Sequence, residues 1–161
     1  MAVRGVLFVC TGNICRSPTA DGVMRRLVRD AGLAQSVRVE SAGTHDYHVG
    51  EPPDVRAQQH ARRRGYDLSP LRARQVVAED FESFDLILAM DRGHLAILRH
   101  IAPPQHRHKL RLLMEFATSW QIDEVPDPYY GGPGGFERVL DMVEAAARGL
   151  LVELHRGIRA S

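Results

Sequence analysis

No apolar stretch in the chain approaches the roughly 20 residues that a membrane-spanning helix needs, so no membrane partner is expected. The N-terminus runs Met1-Ala2-Val3-Arg4-Gly5 and then only a short apolar run before Cys10, too little for a secretory h-region. A cytoplasmic location is the resulting expectation. Charge of one sign is also lacking: the formal net charge is +1, which excludes a whole-surface basic field, and no nucleic-acid partner is expected. Cysteine is nearly absent. Cys10 and Cys15 sit in one short segment and could staple nothing large, so in a reducing compartment such a pair points to catalysis, redox chemistry or metal binding. There is no internal repeat, low-complexity run or linker, and 161 residues suit one compact domain spanning 1–161. With 44% hydrophobic and 25% charged residues the chain has the composition of a folded globular protein rather than a disordered one.

The apolar residues that are present are grouped by period. Gly5-Val6-Leu7-Phe8-Val9 is a short continuous run of the kind buried on both faces of a parallel sheet. After Cys10 to Ser17 comes Pro18, and Pro just inside a helix after Ser is a helix-start signal. Ala20, Val23, Met24, Leu27, Val28 and Ala31 follow at helical spacing, and Gly32 can end the helix. The pattern repeats: a strand from Val37 to Ala42, a loop over 43–53, and a helix capped by Asp54 and ending near Gly65. A short helix over 79–84, a strand over 85–90, a helix opened by Asp91 and ending near Ile101, and a strand over 109–114 complete the alternation. The segment 127–135 is a loop by composition, and Phe136 to Leu154 traces a final amphipathic helix. The fold class is α/β: a single domain with a four-stranded parallel sheet, helices on both faces, and ligands at the strands' carboxyl ends.

The segment at the first such end carries chemistry. Cys10 to Arg16 has the spacing Cys-x5-Arg and is followed by Ser17. Successive backbone N–H groups in a tight loop entering a helix form an anion-binding nest, which makes Thr11, Gly12, Asn13, Ile14 and Cys15 the expected phosphate-binding loop. Gly12 and Asn13 are residue types that tolerate the left-handed backbone such a nest requires. Arg16 supplies a fixed fork for two oxygens of one phosphate. The same positive surroundings favour the thiolate of Cys10, a strong nucleophile facing phosphorus, and Ser17 can donate a hydrogen bond to its sulfur. The competing readings are a small core cysteine, a plain turn, and half a metal site. With no other cysteine and no histidine nearby in sequence, no metal is expected. A plain turn leaves Arg and Ser at the helix entry unexplained.

Cleavage of a phosphate ester also needs a proton for the departing oxygen. Asp127 is the candidate acid, because Pro126 and Pro128 hold it in a stiff segment and Tyr129 and Tyr130 offer faces on which a flat ring could stack. Taken alone, Asp-Pro is a common turn starter; its weight comes from joining the Cys-x5-Arg loop.

With these residues in place, the chain resembles the low-molecular-weight protein tyrosine phosphatases almost end to end. The likeness is carried by residues 6–18 from Val6 to Pro18, then Ser41-Ala42-Gly43-Thr44, Val49-Gly50, Ala73-Arg74-Gln75, Met90-Asp91 and Asp127-Pro128-Tyr129-Tyr130-Gly131. The resemblance implies hydrolysis of phosphotyrosine in proteins and of small aryl phosphates through a phosphocysteine intermediate, without metal or organic cofactor. It implies Cys10 as nucleophile, Arg16 as clamp on phosphate and transition state, and Asp127 as general acid and then base. It further implies that Asn13 and Ser17 hold the loop and tune the thiolate. By the same resemblance, Cys15 can form a reversible, protective disulfide with Cys10, and Ile14, Tyr47, Tyr129 and Tyr130 would line the mouth of the cleft. Two positions depart from the pattern. Tyr47 stands where the family often carries Trp, and Leu71 stands where it often has a His that helps orient the loop Asn. A different group must therefore orient Asn13. Among rivals, an arsenate reductase needs further relay cysteines that are lacking. A protein-arginine phosphatase tends to carry Thr in place of Ile14, and an idle phosphate-binding module would lack the nucleophile or the acid.

Overall fold

The computed structural model describes residues 5–129 and 133–160, apart from the side chains at the edges of the last helix. Its centre is strand β1 (Gly5–Cys10), all six residues of which are buried. The alternation of a strand sends Val6, Phe8 and Cys10 into one core and Leu7 and Val9 into another, so the sheet is covered on both faces. Strand β2 (Arg38–Gly43) lies on one side of β1, and β3 (Leu86–Ala89) and β4 (Leu110–Leu112) lie on the other. The order is β2-β1-β3-β4, and every pairing is parallel, as the buried apolar runs predict.

Helices α1 (Arg16–Asp30), α2 (Val55–Arg63), α3 (Ala78–Ser83), α4 (Arg92–Ile101) and α5 (Pro133–Ala160) supply the crossovers and layers, with short 3-10 turns at Pro104–Lys109 and Leu113–Phe116. Residues from α1 and α5 share the core containing Phe8, while Leu95 and Leu98 of α4 pack with Leu7 and Val9. Asp54 caps α2 through the amides of Arg56 and Ala57, and Asp91 caps α4 through the amide of His94, as expected from their residue types.

The entry to α1 differs from the expectation. The helix begins at Arg16 with Cys15 at the cap position, so Ser17 lies inside the first turn rather than capping it. Its hydroxyl is spent on the loop described below. Close approach also explains a glycine in the middle of α5: a Cβ on Gly149 would stand 1.9 Å from the Phe116 carbonyl oxygen. No helix among the described residues is long and apolar enough to cross a membrane.

Candidate active site

β1 ends at Cys10, and the chain turns through residues 11–15 into α1. The turn closes because Asn13 adopts φ 59°, the left-handed region that Asn tolerates and most residues do not. The amides of residues 12–16 find no backbone acceptor among the described residues, which leaves them available at a helix start. β2 braces the loop from the side. Thr44 and His45 donate their amides to the carbonyls of Cys10 and Thr11, at 2.9 and 3.0 Å. Gly43 is required by this contact, since a Cβ there would lie 2.6 Å from the Thr11 oxygen.

Beneath the loop runs a directed chain of hydrogen bonds. Asn13 Nδ2 donates to Ser17 Oγ at 2.7 Å and to Ser41 Oγ at 3.0 Å, while Asn13 Oδ1 accepts from the Arg74 amide. Ser41 in turn donates to Asp21 Oδ2 at 2.9 Å, and Arg25 pairs with the same carboxylate. With its oxygen occupied by Asn13, Ser17 has one proton to give. Cys10 Sγ lies at 3.0 Å and the Ala42 carbonyl at 3.4 Å, so the sulfur is the better placed acceptor. Ser41 and the Arg74 backbone thus orient Asn13 where the resemblance would have a histidine, and Leu71 packs at the edge of the core instead. Burial raises the pKa of Asp21, partly offset by Arg25.

Arg16 is almost fully buried at 5% exposure. Its Nη1 donates to Asp91 Oδ2 at 2.9 Å and to the Val125 carbonyl at 3.0 Å. Its Nη2 lies 3.4 Å from His94 Nε2 and 3.9 Å from Asp127 Oδ2. Burial alone would raise the Asp91 carboxyl, but the hydrogen bond from the His94 amide, then the hydrogen bond and charge of Arg16, hold it below the usual carboxylate range. Asp91 is therefore ionised at neutral pH and is an anchor for Arg16, not a proton donor. Val125 is fully buried, and its amide donates to the Met90 carbonyl at 2.8 Å. It ties the segment carrying Asp127 to the end of β3 two residues before the aspartate.

A cleft of about 270 Å³ opens over these groups, lined by Cys10, Thr11, Gly12, Ile14, Cys15 and Arg16 on the loop side. Tyr47, His48, Asp127 and Tyr129 complete its lining, with His48 lying against Gly12 of the loop. Asn13 and Ser17, at 2% and 0% exposure, lie behind the loop rather than in the cleft. Tyr130 falls outside the described residues. Tyr47 is exposed and stacks on His45 with ring centroids 4.9 Å apart. Asp127 Oδ1 accepts the Tyr129 amide at 2.9 Å, leaving Oδ2 on the side of Arg16. Arg56 reaches from α2 to the Tyr129 carbonyl and lies over the Tyr129 ring, 5.1 Å from its centroid.

The two cysteines occupy different environments. Burial, followed by the charges of Asp54, Cys10 and Asp127, pushes the Cys15 thiol up to about 12. Cys15 is a protonated thiol at neutral pH, whereas Cys10 alone receives the Ser17 hydroxyl. His48, Asp91, His94, Val125, Ser41 and Asp21 had no assigned part in the sequence reading of the site. Of these, Asp91, inside the Met90-Asp91 match, and Ser41, inside the Ser41-Ala42-Gly43-Thr44 match, carried a signal.

The family model described as low molecular weight phosphotyrosine protein phosphatase matches residues 5–160. A low molecular weight protein-tyrosine-phosphatase of Streptomyces coelicolor is 47% identical over 156 residues, covering 95% of this chain and 94% of that protein. The human low molecular weight phosphotyrosine protein phosphatase is 40% identical over 156 residues, covering 96% of this chain and 98% of its own. Among solved structures, a protein tyrosine phosphatase from Entamoeba histolytica with Hepes in its active site superposes with a TM-score of 0.93. It is 41% identical, and the match covers 96% of this chain and 99% of that one.

Proposed function

The chain belongs to the low-molecular-weight phosphotyrosine protein phosphatase family, and from that premise we propose that its residues 1–161 act as one domain that hydrolyses phosphotyrosine in proteins through a phosphocysteine on Cys10. The observation that carries the assignment is the relay Asn13 to Ser17 to Cys10, which directs one hydroxyl proton at the sulfur on the floor of the cleft. The phosphate dianion would enter the nest of loop amides. Because Arg16 Nη1 is committed to Asp91 and Val125, its other nitrogens are the ones left to meet phosphate oxygens. The Cys10 thiolate attacks phosphorus, the P–O bond to the tyrosine breaks, and Asp127 gives its proton to the departing oxygen. Asp127 then takes a proton from the water that attacks the phosphocysteine. The P–S bond breaks, inorganic phosphate leaves, and the Ser17 hydroxyl steadies the returning thiolate.

Ile14, Tyr47 and Tyr129 would flank the substrate ring, and Ile14 favours a tyrosine over an arginine substrate. The buried Cys15 thiol supports a protective role. Peroxide converts the Cys10 thiolate to a sulfenic acid, the Cys15 sulfur displaces hydroxide as water to form a disulfide, and an external thiol reduces it. This chemistry suits a reducing cytoplasmic setting. Turnover of p-nitrophenyl phosphate tests the whole reading. Cys10→Ser should abolish it while keeping part of the vanadate binding, since a serine hydroxyl without a base is a poor nucleophile. Residual activity above about a tenth of wild type would remove Cys10 from its role.

A further inference from the structure

Helix α4 presents one buried imidazole to both ends of the phosphate loop, and none of the chemical steps above uses it. His94 is 4% exposed. Its Nε2 lies 2.8 Å from Thr11 Oγ1 and 3.4 Å from Arg16 Nη2. Its Nδ1 lies 3.1 Å from Asp91 Oδ1, at an angle that leaves it without a hydrogen bond among the described residues. A guanidinium donates and never accepts, so it suits only a lone pair on Nε2; that lone pair then takes the Thr11 hydroxyl proton at 2.8 Å as its main bond, with the Arg16 N–H at 3.4 Å a weaker second contact. That choice places the ring proton on Nδ1, facing the Asp91 carboxylate. The opposite tautomer would let Nε2–H donate to Thr11 Oγ1, but it would also set that N–H against the Arg16 N–H groups and an Nδ1 lone pair against the Asp91 oxygen, unfavourable toward both charged partners. A doubly protonated ring would set a second cation beside a buried guanidinium.

We propose that His94 is a positioning residue of the phosphatase site, holding Thr11 and Arg16 in register through the Nε2 lone pair of a neutral imidazole protonated on Nδ1. The proposal rests on the reading of Arg16 as the phosphate clamp. Thr11 and Arg16 are the first and last residues between which the loop amides are strung, so one ring sets the span of the anion cradle. It also holds Nη2 in place before substrate arrives, which reduces the ordering left to do in the transition state. The charged and titratable groups facing the ring are Arg16 from α1, Asp91 at the start of α4, Asp127 from the segment after Val125, and His45 from the loop after β2. Burial first, then Arg16, pushes the imidazole down to about 4, with Asp91 and Asp127 opposing and His45 adding to the shift. The neutral ring that the geometry demands is thus the form present at neutral pH.

The test uses the full chain with three substitutions. His94→Leu keeps the volume and removes the acceptor. His94→Gln restores an oxygen at the reach of Nε2, whereas His94→Asn reaches only as far as Nδ1. At pH 7, His94→Leu and His94→Asn should each lose about tenfold or more in kcat/KM for p-nitrophenyl phosphate and weaken orthovanadate inhibition by a similar factor. His94→Gln should recover to within about threefold of wild type. If the Leu variant fails to fold, the contrast between Gln and Asn still decides. In the wild-type protein, long-range proton–nitrogen NMR of the ring should show the Nδ1–H tautomer at neutral pH. An Nε2–H tautomer, a charged ring, or Gln and Asn variants of equal activity would overturn the proposal. Cys10→Ser separates the two readings: an active Cys10→Ser enzyme defeats the site assignment itself. An inactive one beside a normal His94→Asn enzyme defeats only the role of His94.

Discussion

Two aspartates reach the same guanidinium, and their amide variants should fail in different ways. Asp127→Asn removes a transferable proton. The leaving oxygen must then depart as an anion, so the loss grows with the basicity of that oxygen. For phosphotyrosine, whose phenol titrates near about 10, the expected deficit in kcat is ~10²–10⁴-fold, the usual range for a lost general acid. For p-nitrophenyl phosphate, with its better leaving group, the deficit should be much smaller. Asp91→Asn can keep the cap on α4, because its one amide oxygen still accepts the His94 N–H, but it then turns an NH2 donor toward Arg16 where a carboxylate oxygen had accepted. Arg16 Nη1 retains the Val125 carbonyl at 3.0 Å, so one charge-assisted hydrogen bond of about 1.5–3 kcal/mol is lost, not the whole clamp. That corresponds to roughly 10–100-fold at most, independent of the leaving group. The assay is kcat for both variants across aryl phosphates of graded leaving-group basicity. A flat response for Asp127→Asn, or a steep one for Asp91→Asn, would refute the assignment of acid and anchor.

Cys15→Ser should keep most of its initial activity but recover poorly after peroxide, because no neighbouring thiol traps the sulfenic acid; equal recovery of wild type and variant on adding a thiol would exclude the Cys10–Cys15 disulfide. Gly149→Ala should destabilise the protein by about 1–3 kcal/mol in urea, although Ala is the better helix former, since its Cβ would collide with the Phe116 carbonyl; a gain in midpoint would show that α5 does not pack so closely. The His94 imidazole, held down to about 4, takes up its proton in the unfolded chain near 6.5 but in the folded chain only near 4, so stability is lost as pH falls across that window. The loss attributable to this ring is about 3 kcal/mol at most, and the stability difference between wild type and His94→Gln should change with pH between those limits; a constant difference would contradict a buried neutral ring.

The sequence by itself determined what is local. Val6 to Val9 are apolar without interruption, so β1 had to be buried on both faces, and the residues that follow it, from Cys10 to Ser17, are contiguous and hold the proposed nucleophile, nest and clamp together. The cap residues Asp54 and Asp91 marked their helix starts, because a side chain reaching an amide two or three residues ahead leaves its pattern in the chain. Even so, Ser17 looked like a helix-start residue, and only its neighbours in space show that its hydroxyl serves the sulfur. The partners of Arg16 come from α4 and from the segment after the second 3-10 turn, and those of Asn13 from β2 and the segment after α2. No spacing in the chain encodes these meetings. They follow from the sheet order β2-β1-β3-β4, in which β1 lies between β2 and β3 and parallel pairing brings the carboxyl ends of all the strands to one edge. The tertiary structure also decided that the Cys15 thiol stays protonated and that Asp91 stays ionised. Burial acts on Cys15, and the His94 amide and Arg16 act on Asp91, through contacts that residue type alone does not reveal.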